Sequence, residues 1–252
     1  MNKLPQITLA FWIMKICATT LGETAGDLLS MTLNVGYAIS SLILISFFVL
    51  TLLGQVTTDR YKPVLYWSVI LSTSTAGTTM SDFMDRSLGM GYAAGSATLI
   101  GLLAATFFLW YRSEKSLSVH RITSTKGELF YWFAILFSNT LGTALGDFLA
   151  DDSGLGFAGG AMLIGSSIAV IALLHYTTRI SSVLLFWLAF VLTRPFGATL
   201  GDVLTKSHEK GGLDFGTVGS SAVLLAVLIT LVGVATFCNR QRHASLPVGL
   251  SE

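Results

Sequence analysis

A motif of six residues that ends in aspartate occurs four times in this sequence, and this repetition limits the possible folds more than any other feature. Each copy reads glycine, three variable residues, a small residue and aspartate, and the aspartate lies fifteen residues after a tryptophan. Successive copies are 55, 65 and 55 residues apart. This spacing indicates one structural unit repeated along the chain, in a two-unit block that was itself doubled. The tryptophan and aspartate pairs are Trp12 and Asp27, Trp67 and Asp82, Trp132 and Asp147, and Trp187 and Asp202.

Each motif ends an apolar segment, and eight apolar segments of about 20 residues fill most of the chain. Only 12% of the residues are charged, against about 25% in an ordinary soluble domain. Lipid offers no water to backbone groups, so apolar segments of this length are helical. The sequence therefore predicts an all-α, polytopic membrane protein with eight transmembrane helices. The segments are residues 8–29, 36–53, 64–84, 90–111, 129–149, 156–176, 183–204 and 216–237.

Short loops join the segments in pairs, so we predict four helical hairpins within a single transmembrane domain, residues 1–252. An even number of spans in each repeat gives all four hairpins the same orientation, as in parallel repeats related by an axis along the membrane normal. A polar tail, residues 239–252, follows the last hairpin. The repeats are approximately residues 8–53, 64–111, 129–176 and 183–238.

Basic residues are concentrated in the loops between hairpins and in the tail, whereas most loops within hairpins have few. The positive-inside rule then predicts that both termini are cytoplasmic and that the motif aspartates lie toward the outer face. We expect the first segment to be a mature span rather than a signal peptide, because its motif matches the other three in register.

The odd-numbered helices should each carry a polar stripe. Positions four and seven before each aspartate lie within about 40° of it on a helix, and these positions include Glu23, Thr20, Thr75 and Thr140. The even-numbered segments have no ionisable residue in their apolar cores. We therefore expect the odd-numbered helices to line the centre and the even-numbered helices to face lipid.

The stripe is acidic and has two basic residues further along the same helices, Lys15 and Arg194. We predict that both are internal counter-charges for the acids. Arg194 is eight residues before Asp202, or about 12 Å by helical rise, and could also gate a cation pathway.

The glycines of the motif should serve helix packing, because small residues four apart let two helices approach closely in lipid. We expect them to let each hairpin close tightly. These glycines are Gly22, Gly26, Gly77, Gly142, Gly146, Gly197 and Gly201.

Carboxylates together with threonine hydroxyls are hard oxygen ligands, which suit protons, Na⁺, Mg²⁺, Ca²⁺ or Mn²⁺ better than zinc or copper. Acids inside a membrane usually face a bundle interior or a wet pathway. The function predicted here is a transporter that moves a cation, either a metal ion coupled to protons or a monovalent ion, through a central acidic cavity. Its site would consist of the four motif aspartates, each a possible metal ligand, with Glu23, Thr20, Thr75 and Thr140: Asp27, Asp82, Asp147 and Asp202.

Two alternatives remain at this level. The acids could hold helices together in a non-transporting membrane anchor or partner subunit, or the hydroxyls could bind a small metabolite. No catalytic or haem-ligating pattern is apparent within the segments, so we expect no enzyme activity and no cofactor beyond a bound cation. A formal net charge of +1 indicates no nucleic-acid partner. The sequence leaves open which ion is moved, whether the protein is a channel or a carrier, and its oligomeric state.

The tandem hairpins, the tryptophan–aspartate spacing and starts such as Gly36-Tyr37 and Gly91-Tyr92 together resemble a bacterial family. Its members are described as uncharacterised membrane-anchored proteins built from a repeat of unknown function. The resemblance covers about residues 8–238 and implies an inner-membrane protein with eight spans, without implying a reaction or a substrate. The fourth repeat departs from the pattern at Pro195 and has a longer loop.

Overall fold

The chain folds into eight α-helices without a β-strand, within residues 3–119, 122 and 124–244, which the computed structural model describes. The all-helical prediction is confirmed, and most helix ends fall within a few residues of those expected. The exception is the last helix, which continues to Ala244 and so includes the first residues of the predicted tail. The last eight residues of the predicted tail lie outside the described residues. The helices are α1 (Leu9–Asp27), α2 (Tyr37–Val56), α3 (Pro63–Asp82), α4 (Gly91–Glu114), α5 (Thr125–Asp147), α6 (Gly156–Thr177), α7 (Ser182–Thr205) and α8 (Thr217–Ala244).

Local chemistry sets several of these ends. The hydroxyls of Thr8 and Ser124 accept hydrogen bonds from the first turns of α1 and α5, as N-cap residues do. Pro63 begins α3, where its missing N–H is not needed. Pro195 lies inside α7, which continues as one helix across it.

The first three motif aspartates each end an α-helix and are followed by a π-helical turn of five residues. Such wide turns are rare and often occur at functional sites. In the fourth repeat α7 continues for three residues beyond Asp202, and a short 3₁₀ helix follows. The π-helical turns are Leu28–Thr32, Phe83–Ser87 and Phe148–Asp152.

The odd-numbered helices form a closed ring at the centre, in which α1 packs on α3, α3 on α5, α5 on α7 and α7 on α1. The even-numbered helices surround this ring. Each of them packs mainly on the odd-numbered helix of the next repeat, so α2 lies on α3, α4 on α5, α6 on α7 and α8 on α1. A hydrogen bond between the hydroxyls of Thr51 and Ser72, and one from Ser221 to Thr24, join two of these pairs.

The expectation that each hairpin closes tightly on itself is therefore wrong. The two helices of one repeat make few contacts with each other. The small face of each odd-numbered helix is already used by a neighbouring odd-numbered helix. The connecting turn then carries the even-numbered helix across to the following repeat.

Six of the described helices are long and apolar enough to cross a membrane: α2, α4, α5, α6, α7 and α8. The even-numbered ones expose large apolar side chains along their outer faces, such as Leu50, Phe108, Leu173 and Ile229. By contrast, α1 and α3 are rich in buried hydroxyl and charged residues. Their polar surface is covered by protein, because each has neighbours in the ring and an even-numbered helix outside it.

Candidate functional site

A ring of aromatic side chains closes one end of the core. The aromatic residue before each motif tryptophan packs against the motif tryptophan of the next odd-numbered helix, and α7 returns to α1 in the same way. Ring centroids in these contacts are 5.5–6.0 Å apart, within the range that favours aromatic pairs. The pairs are Phe11 with Trp67, Tyr66 with Trp132, Tyr131 with Trp187, and Phe186 with Trp12.

Arg194 lies in the middle of the core and is fully buried. Its Nη2 atom lies 2.9 Å from Oε2 of Glu23 and donates to the hydroxyls of Thr78 and Thr143. These partners belong to α1, α3 and α5, so one guanidinium joins all four helices of the ring. Arg194, for which we predict the role of an internal counter-charge, thus lies beside one acid, Glu23.

The four motif aspartates are buried at the other end of the ring, where each has between 2% and 5% of its surface exposed. Two basic side chains each form ion pairs with two of them. Nζ of Lys206 lies 2.9 Å from Asp27 and 3.0 Å from Asp202, and Arg86 bridges Asp82 and Asp147 at 2.9 and 3.3 Å.

Arg86 and Lys206 occupy equivalent positions in their repeats. Each comes four residues after the aspartate of its own repeat and also reaches the aspartate of the next repeat. The corresponding residues of the first and third repeats are Met31 and Asp151. The cations therefore occur in alternate repeats, in agreement with a doubled two-repeat block.

Three carboxylates come together beside the Lys206 ammonium. Oxygen atoms of Glu23, Asp27 and Asp202 lie within 4.8 Å of one another, and all three residues are buried. Like charges at such distances are costly unless a cation lies among them. The Lys206 ammonium provides the positive charge beside Asp27 and Asp202. The Arg194 guanidinium provides the positive charge beside Glu23. The set of donors, three carboxylates, suits a hard cation.

Burial alone would lower the pKa of Lys206, but the carboxylates of Asp202 and Asp27 outweigh it and raise that pKa above its usual value. The carboxylates of Asp82 and Asp147 likewise outweigh burial and raise the pKa of Arg86. Both side chains therefore remain charged over the physiological range of pH.

The three threonines predicted to bind an ion do not reach the acids. Their hydroxyls donate to carbonyl oxygens one turn earlier in their own helices, as is common for buried threonine. The hydroxyls that reach the Glu23 carboxylate belong to Thr78 and Thr143. We therefore leave Thr20, Thr75 and Thr140 out of the site.

Lys15 differs from the prediction that it is a counter-charge for the acids. Its side chain is fully buried, yet no carboxylate forms an ion pair with it in the part of the chain that the structure describes. Its Nζ atom lies 3.3 Å from Oδ1 of Asn139 and 4.2 Å from the centroid of the Phe190 ring.

The motif glycines lie where odd-numbered helices touch. A methyl group at Gly77 would lie 2.9 Å from backbone atoms of Asn139 and Thr140. The remaining motif glycines face the next helix of the ring in the same way: Gly22 faces Ser74, Gly26 Thr78, Gly142 Arg194, Gly146 Ala198, Gly197 Thr19 and Gly201 Glu23.

Sequence reasoning missed Arg86 and Lys206 as partners of the motif aspartates. The signal that would have found them is the spacing of four residues from an acid, which brings two side chains together on a helix. It also missed the buried Glu128, which accepts from Lys3 at 2.9 Å at the opposite end of the core.

The chain was compared with known families, characterised proteins and solved structures. A family model described as Repeat of Unknown Function (DUF347) matches residues 10–61, 65–116, 130–181 and 185–241. No characterised protein and no solved structure matches the chain. The four matches cover the repeats expected from the motif spacing.

Proposed function

Because the chain belongs to the DUF347 family, whose repeat has no assigned function, we propose from its geometry that it is a membrane transporter that moves a small cation. The path would run through the core enclosed by α1, α3, α5 and α7. The observation that carries this proposal is the meeting of the Glu23, Asp27 and Asp202 carboxylates inside the protein, with the Lys206 ammonium between two of them. An ammonium held in this way occupies the position of a bound cation.

A polar column supports a path for ions. Inward from the acids the core contains Arg194, the hydroxyls of Thr78 and Thr143, then Asn139 and Lys15. Such residues are costly within a membrane and usually serve a bundle interior or a substrate pathway. A purely structural core would be expected to use apolar packing instead.

Both ends of the column are closed in this conformation, by the aromatic ring at one end and by the Lys206 and Arg86 ion pairs at the other. Closure at both ends favours a carrier that alternates between states over an open channel. Lys206 would have to leave Asp27 and Asp202 when a cation binds, so its release would open the acidic end.

We further propose that α1 and α3 also cross the membrane, which gives eight spans in four like-oriented repeats. Their lengths of 19 and 20 residues suffice, and the other helices shield their polar faces. From the family resemblance we propose a bacterial inner membrane. From the distribution of basic residues we propose that both termini are cytoplasmic and that the acids lie toward the outer face.

Thermal unfolding of the purified chain in detergent tests the proposal. Chlorides of Na⁺, K⁺, Mg²⁺, Ca²⁺ and Mn²⁺ would be compared with choline chloride at equal ionic strength. A cation that binds only the folded protein raises its Tm. We expect at least one cation to do so, Asp27→Asn and Asp202→Asn to abolish the shift, and Lys206→Met to enlarge it.

Asp151→Asn is the matched control, because Asp151 is an exposed acid at the same end of the bundle. It should keep the full shift. Uptake of the same ion into proteoliposomes would then establish transport. If no cation raises the Tm of the wild type, the proposal is wrong.

One observation favours a second candidate, a non-transporting module held together by its acids. Two of the motif aspartates, Asp27 and Asp147, form an ion pair with a basic residue of another repeat. This role predicts that Asp27→Asn and Asp202→Asn lower the Tm equally in every salt, with no dependence on the cation.

A further inference from the structure

Lys15 is a buried charge-bearing group to which the cation site gives no role. Its side chain has no exposed surface. The Asn139 amide oxygen can accept a hydrogen bond from a neutral amine or from an ammonium, and the Phe190 ring favours the ammonium only modestly. A lysine held permanently charged in a protein core normally has a carboxylate partner, and the described residues give Lys15 none.

A hydrogen bond fixes the orientation of the Asn139 side chain beside Lys15. Nδ2 of Asn139 donates to Thr73 at 2.9 Å, which turns the amide oxygen toward Lys15. The charged group that acts on Lys15 is Arg194 of α7, which repels an ammonium. Helix α8 also packs on α1. There the backbone carbonyl of Leu224 accepts a hydrogen bond from the Cys17 thiol.

Lys15 and the acid cluster lie on the same helix. Lys15 is eight residues before Glu23, or about 12 Å along α1. Arg194 cannot take part in proton exchange, because a guanidinium remains protonated in proteins. Lys15 is therefore the basic group of the column that can change its charge.

We infer that Lys15 carries the proton that the protein exchanges for its cation, an inference that rests on the proposed transport function. When a cation binds among the Glu23, Asp27 and Asp202 carboxylates, the Lys15 ammonium releases one proton to water and keeps the lone pair on Nζ. When the cation leaves, the amine takes a proton from water. Lys206 stays tethered to the end of α7 when it leaves Asp27 and Asp202, so a bound cation adds to the positive charge at this end of the core. The cation and the Lys15 ammonium then repel each other across a core of low dielectric, and each disfavours the other.

This coupling is reciprocal, as linkage requires. A proton on Lys15 weakens cation binding, and a bound cation lowers the occupancy of the proton. The class of transport is therefore proton–cation exchange, in which the two ions move in opposite directions.

The test counts the protons released when a cation binds. The full chain in detergent would be titrated with each of the five chlorides by calorimetry in two buffers that differ in protonation enthalpy. The wild type should release about one proton per cation bound, as ligand sites linked to a basic group do. Lys15→Met should still bind the cation and release none.

Two further variants test whether the released proton comes from Lys15. Lys15→Arg keeps a fixed positive charge, so it should release no proton and bind the cation about tenfold more weakly. Lys126→Met removes an exposed lysine from the start of α5 and should release protons as the wild type does.

The outcomes separate the two proposals. If the wild type binds no cation, the transport function itself fails, and this inference fails with it. If the wild type binds a cation but releases no proton, or if Lys15→Met releases as many protons as the wild type, transport survives and Lys15 is not the carrier. The first of these two results needs no variant, so it holds even if Lys15→Met does not fold.

Discussion

Nη2 of Arg194 lies 2.9 Å from Oε2 of Glu23, in a buried ion pair between α7 and α1. The two residues are 171 positions apart in the chain. The pair joins the last repeat to the first and so closes the ring of odd-numbered helices. Thr78 and Thr143 share the same guanidinium, so the other two repeats are held at the same point. A single side chain from the most divergent repeat thus organises the centre of the fold.

Arg194→Met should strongly destabilise the protein, because it leaves the Glu23 carboxylate buried without a cation. Breaking a buried ion pair from one side costs roughly 3–5 kcal/mol. The double variant Arg194→Met, Glu23→Met should recover a large part of this loss, since it removes both charges. Thermal unfolding in detergent measures the cycle, with the exposed Arg60→Met as control. Equal Tm values for the single and double variants would contradict the central role of the pair.

Gly77→Ala should destabilise the ring. The added methyl group would lie 2.9 Å from the backbone of α5 at Asn139 and Thr140, so whole helices must move apart. Overpacking of this kind typically costs about 1–3 kcal/mol. Gly101→Ala is the matched control, because Gly101 lies in α4 with open space around it, and it should leave the Tm unchanged or slightly raised. A Tm for Gly77→Ala that equals that of Gly101→Ala would rule out the close approach.

The length and polarity of the apolar segments predicted the eight helices, and the polar stripe of the odd-numbered ones predicted that they form the centre. The packing partner of each even-numbered helix was not predictable in this way. Short connections indicate neighbours in space, and the expectation followed the sequence neighbour. In the folded chain the glycine faces of α1, α3, α5 and α7 contact one another, which leaves the even-numbered helices to pack on the next repeat.

The acids of the candidate site were found from the sequence, but their partners were not. Arg86 and Lys206 lie just beyond the apolar segments, where basic residues normally indicate topology. Their role depends on reaching two aspartates at once, one of which is 61 residues away for Arg86 and 179 for Lys206. Contacts between residues so far apart in the sequence form when the ring of odd-numbered helices closes, so no local sequence pattern predicts them. Lys15 was misassigned for the same reason, since its nearest partners come from α5 and α7.

Lys206→Met should destabilise the protein by the same amount at pH 7 and at pH 9.5. The pKa of Lys206 is raised by Asp202 and Asp27 despite burial. A group with a raised pKa contributes its full stabilisation below its unfolded value, near 10.5, and loses it only as the pH rises through the folded value. Tm values of wild type and variant, measured at several pH values, should therefore differ by a constant. The exposed Lys210→Met in the same loop is the control. A difference that shrinks between pH 7 and 9.5 would show that Lys206 is not held by these acids.

Asp85→Ser should stabilise the protein. Asp85 lies buried in the second π-helical turn, where Oδ2 accepts from Ser81 at 3.2 Å and Oδ1 has no hydrogen-bond partner. Burial raises the pKa of this carboxyl group, so its ionised form disfavours folding, and stability declines as the pH rises through the unfolded value toward the folded one. The first repeat has Ser30 at the same position, where the hydroxyl donates to the Gly26 carbonyl at 2.8 Å.

Removal of this poorly satisfied acid should raise the stability by roughly 1–3 kcal/mol at pH 7, measured as the Tm in detergent. The gain should be smaller at pH 4.5, where the wild-type carboxyl group is more often protonated. Asp151→Ser is the control, because Asp151 is exposed in the third π-helical turn, and it should leave the Tm unchanged. A loss of stability in Asp85→Ser would instead mean that the buried carboxylate has a stabilising partner, and Asp85 would then belong with the other acids at this end of the core.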